Sequence, residues 1–263
     1  MSLLRLFLIG AVMGIADLIP GVSGGTIAFI TGIYKDLIES LQKFNLRFLL
    51  PLGLGVALAF ITLSRLFSFL LYDSRSRCCL FAFFFGVVIS ATFFCLKKTR
   101  PRQFSDWAML ALGCGLALLL VSATSLRSHG GEGFLWLFFC GTLTTVAMLL
   151  PGISGSYLLN LLGVYPIALQ ALNHPLQNFS QLLPLCLGGS VGLLVFSGLI
   201  KRLLQSYPTV LLSLLIGFMV GGLRSLWPWH EDYYLLSFFF VIFGMICPIL
   251  LQISVNHTRR IEV

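Results

Sequence analysis

The sequence predicts an all-α integral membrane protein, a single polytopic domain of two inverted-topology repeats of about 130 residues, 1–130 and 131–263. Three observations predict it. Hydrophobic residues make up 58% of the chain and charged ones 10%, at a mean hydropathy of +0.98, so there is too little polar surface to clothe a soluble fold. Apolar segments recur, most of them close to the ~20 residues that cross a bilayer as a helix. The motif PGxSG occurs twice, as Pro20-Gly21-Val22-Ser23-Gly24 and Pro151-Gly152-Ile153-Ser154-Gly155, 131 positions apart.

The apolar segments fall at 3–19, 26–34 leading into an amphipathic 35–48, 49–71, 78–96, 105–123, 134–150, 157–172, 182–200, 208–226 and 234–253. None alternates as a barrel strand would, so helices are the spanning element. The first segment resembles a secretion signal for a dozen residues, but it carries Asp17 and lacks a small-x-small cleavage site, so it is read as retained. In the amphipathic segment Leu37, Ile38, Leu41 and Phe44 share one helical face, with Lys35, Glu39, Lys43 and Arg47 elsewhere. That predicts either a helix lying along the membrane surface or the solvated end of an ordinary helix.

The shift of 131 also lays Gly32-Ile33-Tyr34 on Gly163-Val164-Tyr165, and Gly86 on Gly217; with a two-residue slip, LLPLGLG at 49–55 meets LLPLCLG at 182–188. Each repeat thus holds a broken pair of segments followed by three unbroken ones. The broken pair returns the chain to its starting face, so three crossings turn the second repeat upside down. Charge agrees, because one face collects Arg5, Lys35, Lys43, Arg47, Lys97, Lys98, Arg100, Arg102, Lys201, Arg202, Arg259 and Arg260. The other collects Arg75, Arg77, Arg127 and Arg224. The positive-inside rule then puts both termini in the cytoplasm, and topology, not nucleic acid, accounts for the net charge of +8.

Cys78, Cys79, Cys95, Cys114, Cys140, Cys186 and Cys247 lie mostly in apolar runs without metal-ligand spacing, and His129, His174, His230 and His257 fall singly in loops or the tail. No metal and no cofactor are expected. The candidate site is instead the pair of breaks. Proline ends a helix, glycine allows positive φ and close approach of a ligand to the main chain, and Ser23 or Ser154 stands at the N-cap of the next half-helix. A helix N-terminus presents unpaired N–H groups and the positive end of a dipole, which suits an anion. The flanks Leu6 to Ala16 and Thr26 to Tyr34 are each about half a membrane thick, which suggests a re-entrant hairpin with its turn at mid-depth. The anion-binding set is Pro20, Gly21, Ser23, Gly24, Gly25 and Thr26 with Pro151, Gly152, Ser154, Gly155 and Ser156.

Asp17 is a carboxylate within an apolar segment, and such a charge is functional by default. A proton-coupling role competes with plain capping of Ser23 and Thr26. Arg65 is close enough to a segment end to snorkel. Gly217, Gly221 and Gly222 have the spacing of close helix packing.

GIADLIPGVSGGTIAFITGIY, LLPGISGSYLLNLLGVY and GFMVGGLRSLWPW resemble the bacterial polyprenyl-phosphate transporters over nearly the whole chain. The resemblance implies an inner-membrane flippase that returns undecaprenyl phosphate from the outer to the inner leaflet for cell-envelope glycan synthesis. It carries over Arg224, Trp227, Pro228 and Trp229 on the extracytoplasmic side, with Arg224 capturing the head group, together with Arg75, Arg77 or Arg127. Membrane lipids are the other expected partners. Two alternatives stand beside it. A small-anion channel or exchanger would use the same turns. A lipid phosphatase would need an arginine where Gly24 and Gly25 stand, paired carboxylates, and a base near Ser23.

Overall fold

The computed structural model describes residues 2–18, 23–123, 133–173, 176–227 and 234–261, and helices are the regular structure found among them. The first half runs α1 (Leu3–Asp17), α2 (Gly24–Ile30), α3 (Tyr34–Lys43), α4 (Leu46–Tyr72), α5 (Ser74–Thr99) and α6 (Phe104–Ser122). The second runs α7 (Phe134–Leu149), α8 (Gly155–Leu161), α9 (Tyr165–Asn173), α10 (Phe179–Ser206), α11 (Pro208–Gly222) with a 3-10 turn (Leu223–Leu226), and α12 (Tyr234–Ile261). Among the described residues five helices, α4, α5, α6, α10 and α11 with its 3-10 turn, are long and apolar enough to cross a membrane. Their outward side chains, Leu54, Ile61, Leu119 and Val195 among them, are exposed. This is the surface of a multi-pass helical membrane protein, where lipid takes the place of a polar coat.

Lipid gives helices no hydrophobic reason to associate, so contact depends on backbones approaching closely at small residues. α1 packs on α4 where a Cβ at Gly10 would strike the carbonyl of Leu52 and one at Gly55 would strike that of Phe7. α7 packs on α10 in the same way, Gly141 on Leu185 and Gly188 on Phe138. Each of these four glycine contacts maps onto its counterpart by the sequence shifts above. The later helices pair across the halves: Gly86 of α5 meets Val241 of α12, and Gly217 of α11 meets Leu110 of α6. Gly113 on Leu214 and Gly244 on Phe83 complete the set. Gly221 sits on Cys114 as the packing expectation required.

The structure moves several boundaries. The amphipathic segment is two helices, because Phe44 takes a left-handed conformation at φ 50 and ends α3. Leu37 and Ile38 are buried, but Phe44 is 65% exposed and leaves the expected face. α3 does not present its apolar face to lipid. It packs against α10, where Gln42 Nε2 donates to Leu194 O at 2.7 Å and to Ser197 Oγ at 2.6 Å. The expected single segment 157–172 is likewise broken at Gly163, φ 74, into α8 and α9. Both halves therefore carry a seven-residue half-helix after the PGxSG motif.

The ends of the bundle follow from shared clefts. Lys35, Ile38 and Glu39 of α3 line one cleft with Lys201, Leu204 and Gln205 of α10. Arg100 and Arg102 line another with Tyr207 to Val210 at the start of α11. Four of the basic residues grouped from the sequence, Lys35, Lys201, Arg100 and Arg102, thus line these two clefts, which adjoin the end of α10 and the start of α11. Of the cysteines, Cys78 and Cys140 are buried and Cys186 is exposed; the side chain of Cys247, like that of Arg65 and His257, lies outside the description, as do His129, His174 and His230 entirely.

Candidate functional site

Of the first motif, Pro20, Gly21 and Val22 lie outside the described residues; Ser23 to Thr26 are buried at the centre of the bundle. Ser23 is extended at φ −120, ψ 140 and caps α2, its Oγ accepting from Gly25 N at 3.1 Å while donating to Met148 O at 3.2 Å. Asp17, at the end of α1, reaches forward so that its Oδ1 accepts from Gly24 N at 2.6 Å. Thr26 N bonds Ser23 O at 2.8 Å. All three N–H groups of the first turn of α2 therefore have acceptors inside the protein, and Asp17 caps Gly24 where sequence reasoning had offered Ser23 and Thr26.

The second motif is described throughout. Pro151 to Gly155 are buried, and Gly152 holds φ 87, a left-handed conformation that L side chains rarely adopt. Main chain fills the space a Cβ would need there, from Phe218 and Met219 of α11. Ser154 stands at the N-cap of α8 as expected, but its hydroxyl makes no cap bond; Oγ lies 2.8 Å from Ser156 Oγ. Among the described residues the N–H groups of Gly155, Ser156 and Tyr157 meet no acceptor. Met148, the counterpart of Asp17, lays its side chain beside Gly155 where the first half has a carboxylate on Gly24.

The two turns touch each other. Gly152 N donates to Thr26 Oγ1 at 2.9 Å, and the buried Tyr34 hydroxyl donates to Leu149 O at 2.9 Å. Gly25 lets α2 nest against the end of α7, since a Cβ there would lie 3.0 Å from Met148 O. Gly222 of α11 closes on the carbonyl of Gly152. Tyr34 is absent from the sequence-derived site. Its signal was the Gly-Ile-Tyr match to Gly163-Val164-Tyr165, which marks a repeat without saying that Tyr34 is buried and Tyr165 39% exposed.

Arg224 follows Gly222 by two residues but is not buried with this centre. It is exposed in the 3-10 turn beyond α11, and Trp227 packs edge-on to Phe85 at 5.9 Å, while Pro228 and Trp229 lie outside the described residues. Arg75 is exposed at the start of α5 and Arg77 is half-buried; Arg127 lies outside the description.

Two helix breaks at matching motifs, joined at the centre of a multi-pass helical bundle, define a membrane protein with a polar, glycine-lined heart. Comparison with known proteins specifies it further. A family model described as undecaprenyl phosphate translocase-like matches residues 13–237, and the chain belongs to that family. A polyprenyl-phosphate transporter of Vibrio cholerae is 34% identical over 252 residues, 88% of this chain and 80% of the relative. One of Staphylococcus aureus is 34% identical over 240 residues, 83% of this chain and 84% of the relative. No solved structure matches.

Proposed function

We propose that this chain is a translocase for polyprenyl phosphate, with undecaprenyl phosphate as its substrate, in the bacterial cytoplasmic membrane. The likeness to named polyprenyl-phosphate transporters along most of both chains carries this reading. It transports and does not catalyse. The lipid moves from outer to inner leaflet, and both termini face the cytoplasm.

The physical task is to move a phosphate through hydrocarbon while the prenyl tail stays in lipid. An unpaired anion buried there has an idealised cost of tens of kcal/mol. Donor groups at mid-depth lower that cost. The glycine and serine turns at 20–26 and 151–156 supply them, from two inverted repeats whose turns meet. Three features support inversion: glycine contacts recurring in register, α5·α12 answering α11·α6, and gathered basic residues at one end. A re-entrant first hairpin is supported by α1 and α4 running in the same direction, Gly10 on Leu52 and Gly14 on Val56, with α3 returning to the start of α4.

Of the two turns, that of α8 is the receiving one, because its N–H groups are open. The turn of α2 already holds an anion of its own, the Asp17 carboxylate. Substrate entering from outside meets Arg224 first. Arg224→Gln should raise the apparent KM for lipid more than it lowers the maximal rate, read as translocation against lipid loading.

The deciding experiment is reconstitution into liposomes with a leaflet-specific reporter of undecaprenyl phosphate, run beside a chloride-flux assay. Lipid translocation without chloride flux is expected. Chloride flux without lipid translocation would make the open α8 turn the site of a small-anion exchanger.

A further inference from the structure

We propose that the cleft at the α5–α6 bend is a second phosphate site, one that receives a phosphomonoester at the basic end of the bundle after it leaves the central turns. This rests on the translocase reading above. The cleft holds about 280 Å³ and is lined by Arg100, Arg102, Gln103 and Asp106 on one side and by Tyr207, Pro208, Thr209 and Val210 on the other.

Its construction separates it from a merely basic rim. α5 ends with Arg100 in a left-handed conformation, φ 51, its N–H on Leu96 O at 2.9 Å. The next residues are pinned from below, because the carboxylate of Asp106, 3% exposed, accepts from the N–H groups of Arg102 at 3.0 Å and Gln103 at 3.1 Å. The acidic group is thus committed to the loop's main chain, and the loop holds both arginines against the α10–α11 junction. Among the described residues neither guanidinium is in an ion pair, whereas Lys43 on the same end pairs with Glu39 at 3.7 Å and Lys35 lines its cleft together with Glu39. Two unpaired guanidinium forks over an open cleft match the oxygens of a phosphomonoester better than ammonium groups would.

Position connects this cleft to the centre. α11 begins in the cleft at Pro208 and ends at Gly222, against the carbonyl of Gly152. At 1.5 Å per residue the two places are about 20 Å apart along one helix. A head group that leaves the α8 turn toward this end of the bundle, away from Arg224, therefore finds uncompensated guanidinium groups at the far end of the same helix.

The test uses full-length protein in nanodiscs, titrated with farnesyl monophosphate as the lipid probe and with inorganic phosphate as the free ion. Arg100→Gln/Arg102→Gln is compared with Lys97→Gln/Lys98→Gln, which removes equal charge from the same end. Loss of two charge-assisted contacts should weaken farnesyl phosphate binding about tenfold or more in the arginine variant. The lysine variant should stay near wild type. Weakening of farnesyl phosphate alone identifies a lipid head group as the ligand; equal weakening of inorganic phosphate identifies the free ion. Equal effects of the two variants, or none from the arginine pair, overturn the proposal. Liposome translocation by wild type is measured in parallel, so that a protein that flips lipid with an indifferent cleft is told apart from one that flips none. Cysteine accessibility at each end checks that neither variant has inverted in the membrane.

Discussion

The breaks between α1 and α2 and between α7 and α8 share a motif and a position in their halves, yet they are chemically opposite. The first is closed upon itself: Asp17, Ser23 Oγ and Ser23 O take the three leading N–H groups of α2. The second is open, with Met148 where the carboxylate would be and a hydroxyl pair, Ser154 and Ser156, in place of a cap. The first turn wedges the centre together, and the second leaves its leading N–H groups open, which is what the proposed anion site requires.

The largest effect should come from the backbone that shapes the open turn. Gly152→Ala places a Cβ at φ 87 and against the main chain of Phe218 and Met219. Strain and overpacking together should cost about 2–4 kcal/mol, seen as a lowered Tm in detergent. Gly189→Ala, whose Cβ would meet Thr145 Oγ1 at 3.3 Å and Gly141 O at an ordinary 3.8 Å, should cost far less. An equal loss at both positions would mean that Gly152 is not specially constrained. It follows that bulky residues at Gly152 test the fold before they test anion binding.

Met148→Asp is the direct way to erase the contrast. A carboxylate there can reach Gly155 N as Asp17 reaches Gly24 N, so the open turn should acquire an anion of its own. Translocation should fall by about tenfold or more, the equivalent of one charge-assisted hydrogen bond that the phosphate can no longer make. Met148→Leu should transport like wild type, and Met148→Asn, also an acceptor, should fall between. Full transport by a folded Met148→Asp protein would remove the α8 turn from the phosphate path.

The serines sharpen the same contrast at lower amplitude. Ser23→Ala deletes a cap and leaves Met148 O without its donor, at about 1–2 kcal/mol of stability. Ser154→Ala loses one hydroxyl contact and should cost about 0.5 kcal/mol or less. Transport should rank the other way, with Ser154→Ala the slower protein once expression is normalised. The reverse ranking would assign the anion to the α2 turn.

Much of this was legible in the sequence, because proline and glycine together are a strong helix-breaking signal and the shift of 131 preserves them, whereas the breaks at Phe44 and Arg100 carry no such signal. The same shift carries Gly10 to Gly141 and Gly86 to Gly217, so the close helix contacts were encoded as pairs. What the residues could not disclose was partner choice. That α5 takes α12 and α6 takes α11 is decided across more than a hundred residues of chain, where no local pattern reaches. The same holds for Thr26 meeting Gly152 and Tyr34 meeting Leu149. Free N–H groups were expected at both turns; Met148 stands where the first repeat has Asp17, but the sequence alone does not say which turn is filled.

The smallest effect on exchange, and the most informative about energy, belongs to Asp17. Phosphate monoesters carry about −1.5 to −2 charges near neutrality, and moving each inward against an inside-negative potential costs about 2.3 kcal/mol per 100 mV. If Asp17 takes a proton when it lets go of Gly24 N and surrenders it on return, each cycle carries a positive charge inward with the lipid. Asn at this position keeps a carbonyl oxygen for Gly24 N, so the cap and the fold should survive, and exchange between leaflets down a lipid gradient should continue near the wild-type rate. What Asp17→Asn should lose is the response to pH. Proteoliposomes with an imposed inward proton gradient should accelerate inward translocation by wild type and leave Asp17→Asn unmoved. An unchanged response in the variant would reduce Asp17 to a cap on α2, and the driving force would then have to come from the lipid gradient or from another ion.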